Sequence, residues 1–266
     1  MSFNPNELLL ERIRSVEEYD PATMEMMGRY TQIESPSLKT SANGTQVTDA
    51  MGAEIATFYN AQQGTFSFTN SLHSLDLMAS QFGSQKEVAD ESNKLRVYVS
   101  EVVEIKNNVA TLKYQPVGTK GAEVKFAKVI NENNTYGKTY KVNATDKAGC
   151  FVVNAAEKTL TFHSDDDVEG RVFVQYERES ENAARVIKTS DSVPEVRTLL
   201  IHAIFHDPCN KNIVYAGVIY VPRAQINPES VELNLTSDGK HSAEYRLQKP
   251  YCDDTSRLFE IIVTSD

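Results

Sequence analysis

From residue 95 to the end of the chain, apolar side chains recur at every second position in short runs, and turn residues separate nearly every run from the next. A period of two is what a half-buried strand requires, because successive side chains point to opposite faces. The runs are Leu95–Ile105, Ala110–Tyr114, Glu123–Ile130, Thr139–Val142, Cys150–Val153, Thr159–Phe162, Arg171–Glu177, Arg185–Thr189, Val196–His206, Asn212–Val221, Val231–Leu235, Ala243–Leu247 and Leu258–Val263. Turns are signalled at Lys106-Asn107-Asn108, 131–134, 154–156, 164–167, Asp207-Pro208 and Asp238-Gly239. So many short strands at this spacing imply a mainly β fold, an antiparallel sandwich or barrel. The two longest runs, Val196–His206 and Asn212–Val221, read as the central hairpin of a large sheet.

The first 94 residues read differently. Asn6 can cap a short helix over residues 6–14, Pro21 breaks the polar stretch after it, and a strand is expected near Arg29–Ile33. Residues 1–40 are therefore expected to form an N-terminal arm, with one β domain over 41–266. Glu54–Tyr59 and Thr65–Thr69 alternate on either side of Asn60–Gly64, which predicts a hairpin with Phe66 and Phe68 on one face. One flanking helix follows over residues 72–82, capped by Asn70 or Ser71. Leu72, Leu75, Met78, Ala79 and Phe82 make its apolar stripe, and Gly83 ends it. No internal repeat, low-complexity tract or Pro/Gly/Ser linker divides the chain.

Charge narrows the function classes. The 266 residues carry 37 carboxylates against 27 Lys and Arg, a formal charge of −10. A nucleic-acid binder needs clustered cations to neutralise phosphates, and no such cluster is present. Cys150, Cys209 and Cys252 are an odd number with no CxxC spacing, which fits synthesis in a reducing compartment. The opening residues 1–6 lack a basic n-region and read as no secretory leader. The most apolar run, residues 199–205, is too short to span a bilayer. The Asn-x-Thr triplets at Asn43, Asn133, Asn143 and Asn234 therefore carry no argument for glycosylation.

Motifs for chemistry are scarce. His202 and His206 share a strand face roughly 13 Å apart at the usual ~3.3 Å rise per residue, too far for one metal. His206-Asp207-Pro208-Cys209 is dense in ligand types but lacks a second pair at zinc spacing. Ser164–Gly170 is acidic without calcium-loop spacing, and reads, like Asp253-Asp254, as a solvated turn. No P-loop, G-x-G-x-x-G or G-x-S-x-G is present. The expectation is a protein without catalytic, cofactor-binding or metal-binding residues.

A more specific pattern begins at Val47-Thr48-Asp49-Ala50-Met51-Gly52. Phe58-Tyr59, Phe66-Ser67-Phe68 and the helix ending Gln81-Phe82-Gly83-Ser84 follow in order. Later come residues 171–177, Val196–His206 and 217–224, the last containing the step Pro222-Arg223-Ala224. This succession resembles the tail tube proteins of tailed bacteriophages, over roughly residues 40–266. The chain is longer than minimal members, so residues 100–165 are expected to hold an inserted or elaborated β region. The resemblance implies a virion tail protein, made in the host cytoplasm. Six copies would form a ring and rings would stack into a tube. Partners would be copies of itself, a tape-measure protein, a tail terminator and, in contractile tails, a sheath. Genomic DNA would pass through without specific binding, and no membrane is involved. The charge suits that role, since a bore lined with carboxylates repels phosphates. Unpaired strand edges and head-to-tail contacts are ready means of building rings and filaments.

Three other readings share the composition. A capsid decoration or head–tail connector protein would differ in symmetry. A monomeric binding module, Ig-like or carbohydrate-binding, would show exposed aromatic residues and no self-assembly. A carboxylate hydrolase would need two acids converging in a cleft.

Overall fold

The structure, a computed structural model, describes residues 6–236, 239–251 and 256–265. Of the sequence features above, the leader reading over residues 1–5, Asp238, Cys252 and Asp253-Asp254 lie outside the described residues. The chain divides into two compact units, Met1–Lys86 with Val186–Asp266, and Glu87–Arg185. The stretch 100–165 falls within the second.

The first unit begins with β1 (Leu9–Tyr19), β2 (Met26–Tyr30), β3 (Ile33–Ser41), β4 (Gly44–Thr48), β5 (Glu54–Tyr59), β6 (Gln63–Asn70) and helix α1 (Leu75–Phe82). The second holds β7 (Glu87–Val88), β8 (Leu95–Lys106), β9 (Val109–Thr111), β10 (Val124–Ile130), β11 (Tyr136–Val142), β12 (Cys150–Asn154), β13 (Thr159–Phe162), β14 (Gly170–Ser180) and β15 (Ala184–Arg185). The chain then returns to the first unit as β16 (Val196–His206), β17 (Val214–Ile226), β18 (His241–Leu247) and β19 (Glu260–Thr264). The fold is mainly β, its sheets are almost entirely antiparallel, and α1 is the one α-helix among the described residues.

In the first unit the order β2-β1-β16-β17-β18-β6-β3 forms one sheet, with β19 added along β17. The β16–β17 hairpin sits at its centre, as the two long alternating runs predict. Its inward positions supply Leu199, Ile201 and Val221, all fully buried with Val16 of β1. Phe66 and Phe68 share the buried face of β6, and the Phe68 ring stacks on Tyr245 at 6.2 Å. At roughly 25 cal/mol per Å² of apolar surface, such aromatic residues dominate the burial energy.

Two sequence expectations are corrected here. Residues 9–19 form a strand rather than the capped helix expected over 6–14, and residues 9–41 supply three sheet strands where an arm was expected. Leu9, Leu10 and Ile13 fit either period. The long ladder with β16, from Leu9↔His206 to Tyr19↔Thr198, satisfies the backbone in a way that local propensity cannot foresee. The second correction concerns the hairpin over 54–69. β5 pairs with β4, while β6 pairs with β3 and β18. β6 buries Gly64, Phe66, Phe68 and Asn70 on one face, so it needs core neighbours on both edges; β5 is exposed at most positions and cannot serve.

Helix α1 starts at Leu75, three residues later than expected. Its cap is Ser74, whose Oγ accepts from the Leu77 amide at 3.3 Å, in place of Asn70 or Ser71. Gly83 ends it in the left-handed conformation as expected, and a Cβ there would strike the Val193 carbonyl. The buried face shares only Ala79 with the expected apolar stripe. Leu72 and Leu75 are exposed, whereas Leu77, Ala79, Ser80 and Gln81 are buried. Polar partners explain the rotation. Ser80 Oγ donates to Glu18 Oε2 at 2.5 Å, and the Tyr245 hydroxyl donates to the other carboxylate oxygen. Gln81 bonds His241 Nε2 at 2.7 Å and donates to the Ser242 carbonyl at 2.7 Å. Buried polar groups are retained only when partnered in this way.

The second unit is a closed barrel in the order β10-β11-β12-β13-β9-β8-β14, with a short β7–β15 ribbon pairing the unit's first and last residues. The turn expected at Asn107-Asn108 is present, with both residues at positive φ, which suits the twist of the flanking strands. Ala110, Val124, Ala127, Leu160, Val172 and Val174 are fully buried. Tyr140 meets Phe162 edge-on at 5.2 Å. The predicted run Val231–Leu235 forms only a single bridge, Leu233↔His241, and Arg185–Thr189 pairs only at its start.

Candidate functional site

In the first unit, β4 and β5 pair with each other and with no other strand among the described residues. Their turn is well specified. Asp49 Oδ1 accepts the Met51 and Ala53 amides, each at 2.8 Å, and Gly52 takes φ +85°. Register places Val47 opposite Ala56 and Thr45 opposite Phe58 on one face, with Tyr59 opposite Gly44 on the other. Phe58 is 67% exposed, Tyr59 73%, Ile55 67% and Met51 93%. Phe58 and Val47 lie on one face, Tyr59 on the other, so the ribbon is apolar on both sides. A lone two-stranded ribbon is marginal in water, and large apolar groups on both faces call for surfaces to cover both.

The sheet edges differ in protection. β3 carries Pro36 and a register shift between Glu34 and Ser37, and β2 is five residues long. Both features discourage strand addition. β19 is as short as β2 but carries no proline and no register shift, and it exposes Ile261 and Ile262. The hairpin and β19 are thus two apolar features of the first unit open to a partner.

The candidate chemical residues scatter into local roles. His206 bonds the Lys211 carbonyl through Nδ1 at 2.7 Å and Glu11 through Nε2 at 2.5 Å. The Glu11 bond, with help from the carbonyl, raises the imidazole's pKa. His202 meets a different carboxylate, Glu17, at 3.3 Å. Burial pulls Glu17 upward, but hydrogen bonds and charge from Tyr19, His202 and Arg29 outweigh it and hold the carboxylate low. Asp207 accepts the Cys209 and Asn210 amides and the Tyr215 hydroxyl, closing the turn between β16 and β17. Cys209 is an exposed thiol. In the 164–170 turn, Asp166 takes Lys138 Nζ at 2.9 Å and the Gly149 amide at 2.6 Å, clasping the turn to neighbouring strands. Among the described residues no three His, Cys, Asp or Glu side chains gather as metal ligands. No described helix is long and apolar enough to cross a membrane.

Charge is unevenly shared. The first unit contains 21 carboxylates and 13 Lys or Arg, the second 16 and 14, so the acidic surplus belongs mainly to the first. Sequence reasoning missed the β4–β5 ribbon as a separate element. The available signal was the Asp49–Gly52 turn between two runs that alternate on both sides without a dominant apolar face.

A family model described as the YomU/Tube protein family matches residues 9–257. No curated protein matches the chain.

Proposed function

The chain belongs to the YomU/Tube protein family, a phage tail tube family as its resemblance implies, and on that premise we propose that it builds the tube wall as stacked hexameric rings with an acidic bore. It is a structural protein of the virion tail. In this reading each copy acts by assembly and carries no catalysis. Synthesis takes place in the host cytoplasm, and the tape-measure protein, a terminator and, in a contractile tail, a sheath meet the finished tube.

The observation that carries the reading is the β4–β5 ribbon, apolar on both faces and unpaired at both edges. A two-sided ribbon suits insertion between neighbouring subunits, where each face gains a cover. The heterologous contact so made closes into rings or propagates along an axis. The surplus of carboxylates on the same unit supports a bore that DNA traverses without adhering.

Electron microscopy of the purified full chain at increasing concentration tests this. Rings with a central channel and sixfold symmetry, stacking into tubes, are expected. A chain that stays monomeric at high concentration and does not extend tube seeds would overturn the proposal.

A further inference from the structure

The second unit carries a groove that shares no residue with the β4–β5 ribbon on which the proposed assembly rests. It lies on the outer face of β8, β14 and the start of β10 and encloses about 440 Å³. Register sets Tyr98 opposite Glu177 and Ser100 opposite Gln175. Glu123 and Lys125 flank Val124, the buried first residue of β10. A turn over residues 117–122 forms one wall. The Val117 amide donates to the Glu177 carbonyl and the Ala122 amide to the Thr119 carbonyl, both at 2.8 Å. Gly121 at φ +75° allows the return. The groove is therefore built from three strands and a fastened turn.

Its chemistry is specific in three respects. Tyr98 stands in mid-strand with 75% of its surface exposed, an apolar ring face beside a polar cleft. The charges cancel: Arg96 and Lys125 face Glu123 and Glu177, with Arg96 Nη1 at 3.5 Å from Glu177 Oε2. Gln175 and Thr119 line the cleft beside these charges and add neutral groups that both donate and accept hydrogen bonds. A phosphorylated or strongly charged ligand would meet an opposing charge here. The cleft runs across the faces of the paired strands β8, β14 and β10, not along a sheet edge, so a peptide cannot join the sheet there as a further strand. A pyranose satisfies all three features. Its C–H face covers an aromatic ring, its hydroxyls both donate and accept, and it carries no charge. The volume lies in the ordinary range of ~300–1,000 Å³ for small-ligand sites.

We propose that this groove binds a neutral saccharide, one or two rings of a glycan. Tyr98 is the stacking platform, and Glu123, Lys125 and Gln175 hold the hydroxyls. The tube would then carry a sugar-recognising module in addition to its assembly unit.

Saturation-transfer NMR on the full chain tests this, with maltose, cellobiose and chitobiose as neutral probes and glucose 6-phosphate as the charged one. At least one neutral disaccharide should receive saturation. Affinity should fall at least about tenfold in Tyr98→Ala, the scale of one lost aromatic stack, and survive in Tyr98→Phe. Glu123→Gln, nearly isosteric, should weaken binding without altering the circular dichroism spectrum. Ring formation should be untouched by any of these variants, which separates this proposal from the assembly reading. Absence of saturation with every neutral probe, equal binding by Tyr98→Ala, or binding confined to the phosphorylated probe would overturn it.

Discussion

The two units of this chain solve the same problem, covering the edges of β-sheets, in opposite ways. The second closes its strands into a barrel, so that each barrel strand finds a neighbour on both sides. The first leaves β19 open, and its β4–β5 ribbon pairs with no strand of its main sheet among the described residues, with Phe58, Tyr59 and Ile55 exposed. A closed barrel abolishes the edges that drive association; an open sheet with an apolar ribbon retains them. The acidic surplus follows the same division. The difference teaches that the open edge and the ribbon on which the proposed assembly rests both belong to the first unit, while the second closes its strands into a barrel.

The sharpest way to break this comparison is to remove the ribbon. Replacing residues 45–58 by a short Gly-Ser linker, or making Phe58→Ser with Tyr59→Ser, should abolish rings and tubes in sedimentation and electron microscopy. The monomer's melting temperature should hardly change, because these side chains bury little within it. Tubes of normal length from the double variant would show that assembly lies elsewhere.

Core truncations come next. Phe68→Ala in the first unit and Phe151→Ala in the second should each cost about 3–5 kcal/mol, the usual range for a buried aromatic. Since each unit has its own core, calorimetry should show each substitution lowering a different transition. One shared transition, lowered by both, would mean that the units unfold as a single cooperative body.

The smallest expected effect is a pH dependence confined to the first unit. Burial, aided by the neighbouring His73, lowers the His241 pKa to about 4. Its neutral ring is the form compatible with the Gln81 and Ser74 contacts. The folded value lies below the ordinary 6.5, so the contribution is complete above that pH and is lost as pH falls toward 4. The full loss is about 3 kcal/mol. Glu18 works in the opposite sense. Burial raises its pKa despite hydrogen bonds from Ser80 and Tyr245, so its stabilising effect is greatest at low pH and declines as pH rises through the folded value. Thermal melts between pH 4 and 7 should therefore show a flatter profile for His241→Asn than for the parent. Glu18→Gln should lose least, or gain, at the upper end of the range. Parallel profiles for the parent and His241→Asn would rule the histidine out as the source.

Much of the fold was legible because strand periodicity is local. The runs Val196–His206 and Asn212–Val221 mark the central hairpin, and the strands observed there are Val196–His206 and Val214–Ile226. The Gly83 stop and the Asn107-Asn108 turn were equally legible, since each rests on backbone conformations that few residue types tolerate. Leu9–Ile13 was not, because a short apolar cluster fits two periods and only β16 chooses between them. The buried face of α1 was misread for a related reason: Ser80 and Gln81 look like surface residues until Glu18 and His241, distant in sequence, arrive as partners.

By itself, then, the sequence determined strand content, the central hairpin, the site of the helix stop and the acidic balance, all properties of neighbouring residues or of composition. Only the tertiary structure decided that β5 leaves β6 to pair with β4, that residues 87–185 close on themselves, and that Tyr98, Glu123 and Gln175 share one groove. Those are choices among partners far apart in the chain. Their energies depend on which surfaces finally meet, and no local pattern carries that information.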